Sequence, residues 1–107
     1  MGKSYGLIEI TGVVAAMDAL DIMCKAADVT LSTWERKLGG RLVTIIVEGE
    51  VAAVTAAVEA ARTQALKPLA AFGVIANPPE EIVGLVARSA SRFKDSEPSD
   101  ESYLQEV

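Results

Sequence analysis

The chain has 107 residues, half of them apolar and only 5% aromatic, with ten basic and fifteen acidic side chains and no histidine. That length holds one small domain, large enough for a compact core without covalent staples. A single cysteine rules out an intrachain disulfide, the missing histidine removes His/Cys metal sites and Ser–His or Cys–His nucleophile pairs, and a formal charge of −5 argues against a phosphate-backbone partner.

The first residues, Met1 to Gly6, carry no long apolar stretch behind a basic start, so no secretory signal is expected. The longest strongly apolar run, Leu42 to Val47, is far short of the roughly 20 residues that cross a membrane. The expectation is a cytosolic protein in a reducing compartment, with no membrane partner.

Alternation from Ser4 to Ile10 predicts a short strand, and Thr11-Gly12 then breaks the chain. Val13, Ala16, Met17, Leu20, Cys24 and Ala27 follow at helical spacing, with Asp18, Asp21, Lys25 and Asp28 opposite. On that stripe Cys24 reads as a small buried hydrophobe rather than a reactive thiol. Strands are expected at Val29–Trp34 and Leu42–Glu48, joined through Glu35–Arg41, a loop with Gly39 and Gly40 at its tip. Both faces of the second of these strands are largely apolar, which predicts a central, covered position.

Glu48-Gly49-Glu50 opens a second helix that runs to about Leu66, with a carboxylate at the positive end of its dipole. Seven of the fifteen residues from Val51 to Ala65 are alanine, which allows the helix to approach a sheet closely. Lys67-Pro68 ends it, Leu69–Ala76 reads as a strand, and Asn77-Pro78-Pro79 turns the chain. Glu80-Glu81 starts a third helix with Ile82, Leu85, Val86, Ala90 and Phe93 on one stripe. The order β-α-β-β-α-β-α predicts an α/β (α+β) fold of the split-βαβ, ferredoxin-like kind: a four-stranded antiparallel sheet, helices packed on it, and an extra C-terminal helix.

Residues 94–107 hold one basic and five acidic side chains, whereas residues 1–93 hold nine and ten. The excess charge is thus a tail, expected to lie outside the 1–93 domain and to remain disordered. Its sharper reading is an interaction peptide built on Tyr103, Leu104 and Val107. Glu9 and Glu48 stand at strand ends with no sign of converging, and Gly39-Gly40 lacks the frame of a phosphate loop. No catalytic residues, no metal and no cofactor are expected.

Several segments together resemble a known family. Tyr5–Glu9 followed by Thr11–Asp21, then Met23–Val29, looks like the opening of a bacterial microcompartment shell protein, and Leu42–Val54 is very similar to that family's central strand and second helix. Val74-Ile75-Ala76-Asn77-Pro78 falls where the family's strand ends in an Arg-Pro edge motif. The match covers about residues 4 to 87, in the element order of the unpermuted, hexamer-forming subgroup. The resemblance implies a homo-hexameric tile that packs edge to edge with other shell proteins around encapsulated enzymes, and no enzymatic activity of its own. It implies a pore loop at Lys37, Leu38, Gly39, Gly40 and Arg41, with Arg41 in place of a usual glycine and Glu35-Arg36 lengthening the loop. It also implies tile-edge contacts at Lys25 and at Asn77, which replaces a usual arginine.

Two readings of Arg41 stay open from sequence: a ring of positive charge around the axis, or a solvated side chain paired with Glu35. Lys25 likewise reads as an edge contact or as an ordinary ion-pair partner of Asp21 or Asp28. The alternative to a shell tile is a small-molecule-binding or signalling module that grips an anionic ligand with the 37–41 loop.

Overall fold

The computed structural model describes residues 3–37, 39 and 41–96. The elements are β1 (Ser4–Thr11), α1 (Val13–Ala26), β2 (Thr30–Lys37), β3 (Leu42–Gly49), α2 (Val51–Gln64), β4 (Ala71–Ile75) and α3 (Glu80–Ser96). The strands form one sheet in the order β2-β3-β1-β4, with every neighbouring pair antiparallel. This is the split-βαβ order expected from sequence, and β3 is central as its two apolar faces require.

The two faces of the sheet follow from the register. Gly6 faces Val47, Ile8 faces Ile45 and Ile10 faces Val43 across β1 and β3. All of these except glycine are buried apolar side chains that meet Ala15, Ala16, Ala19 and Met23 of α1 and Val54, Ala57, Val58 and Ala61 of α2. Alternation along the strands puts Tyr5, Leu7, Glu9, Thr44, Ile46 and Glu48 on the opposite face. There α3 lies alone, with Val86 buried and its contacts mainly to β2.

Helix α1 is rotated relative to the stripe expected for it. Ala16 of that stripe is buried and Val13, Leu20 and Ala27 are partly buried, but Met17 is 58% exposed and Cys24 is exposed. The alanines face inward because α1 must pack against α2 as well as the sheet, and small side chains allow that close approach. Gly6 shows the same tightness: a Cβ there would lie 2.9 Å from Val58 Cγ2 and 3.2 Å from Val47 Cγ2.

Three further differences concern lengths and faces. Strand β2 runs on through Glu35, Arg36 and Lys37, which pair with Thr44, Val43 and Leu42, so the connection is shorter than the expected Glu35–Arg41 loop. Strand β4 spans only Ala71–Ile75, although the Ala70 N–H still donates to the Glu9 carbonyl at 2.7 Å. On α3, Leu85 is 55% exposed, while Ser89 takes a buried place beside Val86; Ala90 is partly buried, and the side chain of Phe93 lies outside the described residues. Helix α3 continues to Ser96, so residues 94–96 of the expected tail are helical backbone, and 97–107 lie outside the described residues.

Candidate functional site

The β2–β3 turn gathers one set of expected residues. Lys37 closes β2, paired with Leu42, and Gly39 has φ +69 and no atom within 4 Å of a would-be Cβ. That left-handed backbone at an exposed tip suits glycine. Leu38 and Gly40 lie outside the described residues. Arg41 is exposed, and its carbonyl accepts from the Gly12 N–H at 2.6 Å. Gly12 itself has φ +98 and ends β1 at the same end of the sheet.

A polar cluster absent from the sequence-based expectations supports this hairpin from α3. The hydroxyls of Thr33 and Ser89 lie 2.9 Å apart, with Thr33 only 1% exposed. Ser89 also donates to a Glu35 carboxylate oxygen, and Arg92 donates to the same oxygen at 2.7 Å. A serine hydroxyl has one proton, so Thr33 must donate to Ser89 while Ser89 donates to Glu35. The Ser89 bond, with help from Arg92 and Lys37, holds the Glu35 carboxyl below its ordinary range against the opposing effect of burial. The sequence held one signal for this: Ser89 continues the Ile82, Val86 stripe at helical spacing, and a serine on a buried stripe needs a partner.

The two expected edge residues lie at the other end. Helix α1 runs back along β1, so Lys25 comes just before the β2 start, where Thr30 pairs with Glu48. Asn77 follows Ile75, which pairs with Tyr5. Thr30, Glu48 and Tyr5 all mark the end of the sheet remote from the 38–41 turn, a distance of roughly 23 Å along an eight-residue strand. Lys25 pairs with Asp21 at 3.2 Å, an exposed i,i+4 ion pair, and Asn77 is exposed with φ +50. Asparagine is among the few residues that tolerate that conformation. Beside them, Glu48 accepts from Lys3 at 2.8 Å and from Ser32 at 3.1 Å. The Glu48 hydrogen bond raises the Lys3 pKa, while burial first and Glu48 second raise that of Tyr5.

The two strand carboxylates do not converge. Glu9 accepts from Thr44 at 3.1 Å, four register positions from the Tyr5–Glu48 pair. Among the described residues no three His, Cys, Asp or Glu side chains group as metal ligands, and no helix is long and apolar enough to cross a membrane. Burial and then Asp21 push the Cys24 thiol above its ordinary pKa of 9.0, the opposite of an activated nucleophile.

The BMC domain model matches residues 4–78. The chain belongs to the bacterial microcompartment shell proteins. Over 92 residues it is 36% identical to the microcompartment shell protein PduA of Salmonella typhimurium, covering 84% of this chain and 97% of PduA. It is 46% identical over 67 residues to the shell protein EutK of Escherichia coli K12, covering 63% of this chain but only 40% of EutK. A crystal structure of a microcompartments protein from Desulfitobacterium hafniense DCB superposes with a TM-score of 0.72 at 25% identity, over 83% of this chain and 49% of that one. The BMC-domain chain is thus a structural protein of a microcompartment shell, and the ligand-module reading is not favoured.

Proposed function

We propose that this chain forms a homo-hexameric tile of a microcompartment shell, with the 37–41 hairpin around a central opening and Lys25 and Asn77 at the rim. Its work is to bound a space and filter small metabolites, not to catalyse a reaction, and its partners are other shell proteins and the enzymes enclosed. The observation that carries this reading is the polarity of the sheet: the glycine-containing turn lies at one end and Lys25 and Asn77 at the other. A tile that lines an axis and meets neighbours at its perimeter needs that separation.

The surface of the single chain supports association. Val14 is 74% exposed, Met17 58% and Leu66 66%. The Leu66 N–H donates to Asp18 at 3.3 Å, which brings Leu66 to the same side of α1. Exposed apolar groups gathered in this way mark contact surfaces.

Repeated around an axis, Lys37 and Arg41 would present cations to a permeating solute and favour anions. Arg41→Glu in reconstituted shells is expected to slow entry of anionic probes relative to cationic ones; unchanged relative uptake would contradict a role for Arg41. Lys25→Ala is expected to leave single tiles intact and prevent extended sheets in electron micrographs. Normal sheets from that variant would remove Lys25 from the edge.

A further inference from the structure

A β-bulge in β2 builds a polar patch on the face of the sheet that carries α3. Leu31 pairs with Val47 and Thr33 with Ile46, so Ser32 is an extra residue between them. Thr33 bonds Ser89 of α3, and Ser32 donates to Glu48 Oε1 at 3.1 Å, so two consecutive hydroxyls serve one face. Regular alternation would send one of them to the other face; a bulge re-aims a side chain in this way, often beside a site. The patch lies at the Tyr5–Glu48 end of the sheet, remote from the 38–41 turn.

This patch is one wall of a groove of about 550 Å3 between α3 and the sheet. Lys3, Tyr5, Ser32 and Glu48 line the sheet side. Pro78, just before α3, and Val83 and Ala87, one turn apart on it, give the other side an apolar surface. That volume, an apolar wall and a few converging polar groups are the ordinary makings of a small-molecule site.

Tyr5 points to a ligand. The residue is only 4% exposed, yet its hydroxyl bonds no described residue. Among the described residues no side-chain polar atom is both fully buried and unpartnered, so that hydroxyl opens into the groove it lines. Burial first and Glu48 second raise its pKa, so it stays a protonated donor at neutral pH.

Charge balance decides what the groove accepts. Lys3 Nζ lies 2.8 Å from Glu48 Oε2, so the two ionised groups in the lining already neutralise one another. A charged ligand would have to break that pair or sit beside a like charge. A neutral head finds the remaining capacity. The Tyr5 proton suits a carbonyl oxygen. Lys3 and Ser32 occupy only part of the acceptor capacity of the Glu48 carboxylate, which leaves room for N–H donors. An amide carries both functions in one plane, and the Asn77 side chain in the same lining offers a matching amide.

We propose that this groove binds a small neutral carboxamide, with its head on Tyr5 and Glu48 and a short apolar group against Val83 and Ala87. The site goes beyond the tile reading and does not depend on the chain forming a hexamer.

The test titrates isobutyramide into the full chain and follows the probe by saturation-transfer NMR. A ligand this small is expected to half-saturate the site at roughly 1–20 mM. The isosteric isobutyrate and isobutylammonium ions should bind at least about fivefold more weakly, since the Lys3–Glu48 pair leaves no free charge for them. Tyr5→Phe removes one hydrogen bond and should weaken isobutyramide about fivefold. Its urea midpoint should match the wild type, because the hydroxyl has no described partner to lose, and that separates loss of the site from loss of the fold. Ala87→Leu, on the exposed surface of α3, fills the groove and should weaken binding at least as much. No saturable signal up to about 100 mM, unchanged binding in either variant, or a charged isostere that binds as well as the amide would overturn the proposal. These readings are taken on the chain whatever its oligomeric state, so they stand apart from failure of the hexameric reading.

Discussion

The N–H of Gly12 donates to the carbonyl of Arg41 at 2.6 Å, which ties the β1–α1 turn to the far side of the hairpin turn. Gly12 holds φ +98 and its own carbonyl accepts from Ala16 at 2.9 Å, so one residue both starts α1 and anchors the hairpin. Gly12→Ala places a Cβ in ordinary contact distance, 3.6 Å from Lys67 Nζ, so its cost is backbone strain rather than a clash. A loss of about 1–2 kcal/mol in urea unfolding is expected. A loss under about 0.3 kcal/mol would mean the turn relaxes freely.

Gly6 tests packing instead. A Cβ there meets Val58 Cγ2 at 2.9 Å and Val54 Cβ at 3.3 Å, and valine side chains in a helix have little rotamer freedom to yield. Gly6→Ala is expected to destabilise by about 1–3 kcal/mol. Adding Val58→Ala should cost less in the Gly6→Ala background than in the wild type, because the added methyl occupies part of the space vacated. A double-mutant cycle with strictly additive losses would show that the two side chains do not compete.

Ser89→Ala leaves the Thr33 hydroxyl buried without its acceptor and removes the donor to Glu35. The expected loss is about 1–3 kcal/mol, the cost of an unsatisfied buried group. Thr33→Val in the same background should restore much of it, since both partners are then apolar. If the double variant is no better than Ser89→Ala alone, the cost lies in the Glu35 contact rather than in Thr33.

The depressed pKa of Glu35 has a definite sign in pH titrations of stability. A carboxylate held below its unfolded value, about 4.5, stabilises the fold above that pH, and the contribution is lost as pH falls through the lower folded value. Glu35→Gln is expected to make unfolding less acid-sensitive below about pH 4.5. Curves for the variant and the wild type that stay parallel from pH 6 to about pH 3 would contradict the link. Comparing the two removes the contributions of other carboxylates.

The element order and the central place of β3 were legible because period and turn residues agree: alternating Ile and Val in the strands, Pro68 after α2, Pro78-Pro79 before α3. The rotation of α1 was not legible. Hydropathy ranks Met17 and Cys24 above alanine, but the space between α1, α2 and the sheet admits only small side chains, which sequence periodicity does not measure. The extension of β2 was hidden by Glu35, Arg36 and Lys37, whose charges read as loop; on an edge strand they face solvent or reach α3, so pairing with β3 proceeds. The Thr33–Ser89–Glu35–Arg92 cluster joins residues over fifty positions apart. Local pattern carries no information on such contacts.

The central claim is that the 38–41 turn lines an axis while Lys25 and Asn77 face outward. Averaged electron-microscope images of the assembled chain test it most directly. The account predicts six-fold particles with the hairpin turn bordering a central opening and the α1 C-terminus at the perimeter. Particles of another symmetry, or six-fold particles with the hairpin at the rim, would contradict it.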